Sequence, residues 1–143
     1  MEPPVSDARD PVLERVVEQA SELLRAPRVG LAVIEPGGGG PVLLRFVATR
    51  GLSEQFPQNI RPTHWRDGTT PIAIHERRPV WSADLLNDPN VELTDATRHG
   101  VEVEGYRAVL SVPLLARDHA LGALVLYRDE VGPFTPDVIE LAQ

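Results

Sequence analysis

Two apolar runs near the end of the chain, separated by Arg117, Asp118 and His119, limit the fold more than any other feature. Val109 to Ala116 is apolar except for Ser111, and Leu121 to Tyr127 is apolar throughout, with Gly122 inside it. Runs this short, bounded by polar residues, fit buried strands better than a helix. A helix is expected to follow them. Thr135-Pro136 opens it, and Phe134 and Ile139 have the spacing of a hydrophobic staple. The chain therefore ends in a central hairpin with a helix laid beside a sheet. That helix stops at Gln143 with no capping signal, which is the expectation for the cut end of a longer protein.

The rest of the chain is punctuated by Pro and Gly. Residues 1–9 read as a flexible leader, and 10–143 as one domain. Asp10-Pro11 suits a helix start, and Leu13, Val17, Ala20 and Leu24 form its apolar stripe. Val12, Val16 and Leu23 widen that stripe enough to cover a sheet and still leave apolar side chains for a partner helix. Val29 to Ile34 and Val42 to Ala48 read as strands joined by a loop holding Gly37 to Gly40. That glycine run precedes no lysine and opens no helix, so it is a hairpin loop and not a phosphate cradle. Leu52 to Phe56 is expected to be a short helix. A further helix runs from Pro71 to about Arg77 with Thr70 as its cap, and Val80 to Ala83 is a short strand. Leu85 to Tyr106 is polar and unperiodic, with a short helix expected near Leu93 to His99. A loop of that length in a compact domain is often functional. Glu102 and Glu104, alternating with Val101 and Val103, read as an exposed strand or loop edge.

A chain of 143 residues buries enough surface to fold without a disulfide or metal. It has no cysteine, which removes thiol nucleophiles, thioether-linked chromophores and Cys-ligated zinc together. All 14 basic residues are arginine, so Schiff-base and Walker-type lysine chemistry is excluded. The net charge of −7 argues against a general nucleic-acid or anionic-membrane surface. No stretch has the length and apolarity of a membrane span, and no signal-peptide pattern opens the chain; the cytoplasm is the expected compartment.

Four segments in order resemble the GAF domain. Asp67-Gly68 through Arg78-Pro79-Val80 is similar to the family's glycine-started helix and following turn. Trp81-Ser82-Ala83-Asp84 with Asn87-Asp88-Pro89 is similar to its strand and loop start. Gly105-Tyr106-Arg107 through Val112-Pro113-Leu114 resembles its proline-bearing strand. Leu121-Gly122 through Leu126, then Phe134-Thr135-Pro136-Asp137, resembles its last strand and helix. The resemblance implies an α+β sandwich. Its antiparallel sheet has five or six strands, with the terminal helices on one face and a long loop with short helices on the other. The chain lacks the cysteines of the chromophore-bearing and methionine-sulfoxide-reducing members. It also lacks the asparagine-lysine-phenylalanine arrangement of cyclic-nucleotide-binding members.

Pro113 cannot donate a ladder hydrogen bond, so a bulge or bend is expected there, with Gly122 opposite allowing close approach. The histidines, His64, His75, His99 and His119, show no metal-ligand spacing, and there is no catalytic constellation. His119 reads as solvated, and His75 as hydrogen-bonded and half-buried. His99, in the long loop, is either bonded to backbone or a haem ligand. Asp84 either caps the loop or meets a ligand. Trp65, Trp81, Tyr106 and Arg107 are candidate pocket walls and anchors, the alternatives being core tryptophans and a loop-bracing arginine. The candidate ligand-binding set is therefore Trp65, His75, Trp81, Asp84, His99, Tyr106, Arg107 and Ser111, with no catalytic or metal residue.

The function implied is a non-enzymatic sensor module. It binds a small molecule of unidentified class and relays the signal through its terminal helices, as a homodimer, in a protein such as a histidine kinase, a cyclic-dinucleotide enzyme or a transcription regulator. A ligand-free dimerisation and relay module is the alternative, and a haem sensor a narrower one. The missing cysteine leaves no anchor for a covalent bilin.

Overall fold

The computed structural model describes residues 11–35, 43–53, 56, 59–60, 65–117 and 119–136. The two apolar runs form β5 (Ala108–Ala116) and β6 (His119–Arg128), antiparallel and paired through Val109 with Tyr127 and Val112 with Leu124. On its other side β6 pairs with β1 (Arg28–Glu35), and β1 with β2 (Leu43–Arg50). β3 (Asn59–Ile60) extends the sheet beyond β2, and β4 (Val80–Ser82) beyond β5. The order is β3-β2-β1-β6-β5-β4, antiparallel throughout, which meets the expectation of a five- or six-stranded sheet.

Both faces of the central strands are covered, and this is why their sequences run apolar without alternation. Leu110, Val112, Leu124 and Leu126 pack with Val17 and Leu24 of α1 (Pro11–Leu23) and the residue just beyond it. Their neighbours Val109, Val125 and Tyr127 pack on the opposite face with Phe46, Leu85 and Val101. Leu110 and Leu126 are fully buried. Removing such a leucine from water contributes roughly 1.5–3 kcal/mol.

Two irregularities shape the sheet. Leu31 pairs with Ala48 and Ala32 with Phe46, so Val47 is an extra residue on β2. The bulge moves β2's inward side chains from one face to the other: Ala48 joins the α1 side, whereas Leu44 and Phe46 join the opposite side. The expected irregularity near Pro113 lies one residue on, between Leu114 and Leu115, while Pro113 itself still pairs with Ala123. Gly122 is opposite Leu114 on one side and Val33 on the other. A Cβ there would be driven into the Ala32 carbonyl and lie 2.9 Å from Val33 Cα.

α1 divides its apolar residues as expected. Val17 is buried against the sheet, whereas Val16 and Leu23 are 41% and 64% exposed on its other side. α2 (Thr69–Glu76) begins two residues earlier than Thr70-Pro71 predicts. Its N-cap is Gly68 at φ 117°, and Thr70 is a helical residue. The Thr70 hydroxyl is instead 2.8 Å from Ser111 Oγ, which outcompetes a local capping bond.

The long loop is more ordered than its polarity suggests. Leu85–Asn87 is a 3-10 turn, and α3 spans Asp95–Glu104. The reading of Val101 to Glu104 as a strand or loop edge is corrected: these residues close α3. Thr94 caps it by accepting from the Thr97 N–H, and Gly105 ends it in the left-handed conformation. The alternation was misleading because only Val101 turns inward, at 1% exposure against 54% for Val103. At the expected helix near Leu52, the described residues show a turn in which the Phe56 N–H reaches the Ser53 carbonyl. The leader, Asp10, the Gly37–Gly40 loop, Asp118, Ile139 and the end of the last helix lie outside the described residues.

Candidate functional site

A cavity of about 70 Å³ lies between the sheet and the Leu85–Tyr106 segment. The sheet provides its floor: Leu44 and Phe46 from β2, Val109 from β5, Val125 and Tyr127 from β6. Leu85 and Thr97 contribute from the roof, Asp67 to Pro71 from the start of α2, and Phe56 and Tyr106 from the side. The rings pack edge on. Phe46 and Phe56 are 5.0 Å apart between centroids, Phe56 and Tyr127 5.9 Å, and Tyr106 and Tyr127 4.6 Å.

Polar contacts tie the roof down alongside the core packing of Leu85 and Val101. Asp67, buried, accepts from the Thr94 N–H at 2.8 Å and from the Thr97 hydroxyl at 3.0 Å. Thr94 Oγ1 is 3.3 Å from the same carboxylate. One acidic side chain before α2 thus holds the cap of α3. Arg98 Nη1 donates to the Leu86 carbonyl at 3.0 Å, binding α3 to the 3-10 turn. At the loop's two ends, Arg107 Nη2 and Nε donate to Asp84 Oδ1 at 2.9 and 3.2 Å. The Leu85 N–H adds a bond to the Arg107 carbonyl at 2.7 Å. Hydrogen bonds from Asn87 and then Arg107 hold the Asp84 carboxyl below its ordinary range. Its brace is therefore in place at neutral pH and is withdrawn as pH falls through that lowered value.

The chain's two tyrosines both line this cavity. Burial, reinforced by the Glu104 charge, raises the Tyr106 phenol. Burial first, then Tyr106 and Glu104, raises Tyr127. The unfolded chain ionises its tyrosines near pH ~10, so stability is intact below that value and falls as pH rises beyond it. In an alkaline titration, tyrosinate absorbance is expected to appear together with loss of circular dichroism. Tyrosinate formation in a chain that stays folded would contradict this environment.

The candidate residues separate into groups. Tyr106 lines the cavity. Ser111, fully buried, stands behind it, with its Oγ 2.9 Å from Thr69 Oγ1 and 2.8 Å from Thr70 Oγ1. Asp84 and Arg107 pair at the loop's base, the bracing alternative for Arg107. Trp81 is 45% exposed between buried Val80 and Ser82, so it is not a core tryptophan. It lines a separate groove of about 420 Å³ with Arg66, Arg78 and Asp88. Trp65 and His75 stack at 4.3 Å on the surface, so His75 is exposed where a half-buried role was expected. His99 is exposed on α3, His119 is exposed at the hairpin, and His64 lies outside the described residues. Asp67, Phe46, Phe56, Thr97 and Tyr127 were not singled out by the sequence. The alternation of Leu44 and Phe46 on β2 was a usable signal for one of them. Asp67 had none, since its partners are distant in the chain. Among the described residues there is no group of acidic or histidine side chains able to hold a metal, and no helix long and apolar enough to cross a membrane.

A six-stranded antiparallel sheet with α1 on one face and a cavity beneath α3 on the other defines an α+β sandwich. The GAF domain family matches residues 8–143, and the chain belongs to that family. Three solved structures show the same fold. One is a domain assigned to a two-component sensor histidine kinase from Sinorhizobium meliloti 1021, 23% identical with a TM-score of 0.71, covering 96% of this chain and 84% of that one. Another is the PixJ GAF domain of Thermosynechococcus elongatus in its blue-light-absorbing form, 22% identical with a TM-score of 0.69, over 91% and 75%. The third is a type II free methionine-R-sulfoxide reductase from Thermoplasma acidophilum, 16% identical with a TM-score of 0.68, over 92% and 82%. No curated protein matches the chain. Domains of this family serve generally as regulatory sensor modules, although the reductase shows that the fold also supports an enzyme.

Proposed function

We propose that this chain is the small-molecule-sensing module of a cytoplasmic signalling protein, with a histidine kinase as the leading parent. The observation that carries the reading is the cavity beneath a roof fastened by one buried carboxylate. A ligand that favours one arrangement of α3 over another shifts their populations, and one that binds both equally transmits nothing. α1, packed on the opposite face of the same strands, is the element placed to pass that shift to a partner. The reductase's chemistry is not part of this reading, because the chain has no cysteine. Nothing at His99 favours a haem-ligand role, since it is exposed and does not line the cavity.

Native mass spectrometry of protein purified from its own host tests the reading by its bound mass. Hydrogen exchange with and without the compound so found is expected to change in both α3 and α1. Unchanged protection in both would defeat the proposal. A ligand-free relay is the second reading, favoured by Val16 and Leu23 exposed on α1. It predicts a dimer in sedimentation that Leu23→Glu converts to monomer; a wild-type monomer at all concentrations would contradict it.

A further inference from the structure

We propose that the cavity beneath α3 receives a small organic ammonium, a protonated or methylated amine head group, with Asp67 as its counter-charge. The inference rests on the sensing reading of the same cavity and adds the chemistry of what enters it. Asp67 is the only charged side chain among the described residues that line the space. No arginine, lysine or histidine is among them, so among the described residues an anion would meet a carboxylate and no compensating cation. The walls include four aromatic rings, Phe46, Phe56, Tyr106 and Tyr127, in continuous contact. Ring faces carry partial negative charge, and desolvated cations are favoured beside them. The whole-chain charge of −7 draws cations toward the protein in the same sense.

Size restricts the ligand further. An engineered cavity of roughly 150 Å³ holds benzene; this one, at about 70 Å³, is less than half as large. It accommodates a head group of a few heavy atoms, and the remainder of a larger ligand lies outside it.

The same carboxylate connects binding to movement. Asp67 Oδ1 receives the Thr94 N–H, whereas Oδ2 receives the neutral hydroxyls of Thr94 and Thr97. An ammonium donor brings a full positive charge to the carboxylate, a coulombic attraction that the neutral hydroxyls cannot offer. It therefore competes for Oδ2, and each bond it replaces is one that holds α3 to the start of α2. The ligand and the α3 cap share one acceptor, so occupancy changes the fastening of the roof.

The test uses the complete chain with labelled tyrosine rings, since both tyrosines line the cavity. Methylammonium, formamide and formate are titrated in turn at constant ionic strength, and the ring signals are followed by NMR. Methylammonium is expected to shift both signals saturably in the millimolar range, as suits so few atoms. Asp67→Asn is expected to weaken it at least tenfold, and Phe56→Leu, which leaves the roof bonds in place, roughly fivefold. Equal titration of wild type and both variants would overturn the ammonium assignment. Saturation by formate or formamide without methylammonium would overturn it too, while leaving a sensing cavity of different selectivity. No response to any of the three probes would overturn both the assignment and the sensing reading it rests on. Should Asp67→Asn not fold, Phe56→Leu carries the comparison.

Discussion

Gly122→Ala is expected to destabilise the protein by roughly 3 kcal/mol, lowering its melting temperature by about 10 °C. The added methyl group is small, but its surroundings are backbone. It would collide with the Ala32 carbonyl and crowd Val33 Cα, and neither can rotate away as a side chain tip can. β1 and β6 would have to separate locally, at the centre of the sheet, where Ala32, Ala123 and Val125 are packed beside them. Gly100→Ala provides the opposite case. Gly100 lies within α3, and a Cβ there meets nothing within 4 Å. That substitution is expected to stabilise by roughly 0.5–1 kcal/mol, because alanine loses less backbone freedom in a helix. Denaturant midpoints of both variants check the pair. Equal effects of the same sign would mean that strands β1 and β6 are not as close as described.

Asp67→Ala is expected to lower stability by roughly 2–3 kcal/mol. The cause is not lost charge attraction. A buried carboxylate disappears, and the Thr94 N–H with the Thr94 and Thr97 hydroxyls must find other acceptors in a partly buried place. The effect should be local first. α3 contributes Val101 to the core but few other buried side chains, so its position depends on that polar knot. Exchange of α3 amides is expected to accelerate strongly, while amides of β5 and β6 slow or hasten only with global stability. Near-ultraviolet circular dichroism should also fall, since Tyr106 and Tyr127 lie in the same cavity. A variant as stable as wild type, with α3 protection unchanged, would show that the roof is held by other means.

What the sequence made legible follows from how local each signal is. The β5–β6 hairpin was readable because burial on both faces leaves an uninterrupted apolar run. Gly122 was readable because a glycine in such a run requires a reason. α3 was under-read because one buried valine in ten helical residues gives almost no periodicity. Its caps, Thr94 and Gly105, were the better signals. The site was less legible still. Asp67 meets Thr94 and Thr97, 27 and 30 residues away, and Thr69 meets Ser111 at a distance of 42. No spacing rule reaches that far. The scarce tryptophans drew attention as pocket walls, yet Trp65 stacks on His75 at the surface and Trp81 faces a separate groove. The bulge at Val47, which sends Phe46 to the cavity side, had no local mark at all.

The most direct measurement is native-state hydrogen exchange of the unmodified chain, comparing α3 with β5 and β6. A roof able to report on what lies under it must open without unfolding the floor. Amides from Arg98 to Glu104 are therefore predicted to exchange through an opening at least ~2 kcal/mol easier than that of the hairpin. A single common opening energy for helix and hairpin would contradict the account, because a cover that moves only when the whole molecule unfolds has nothing to signal.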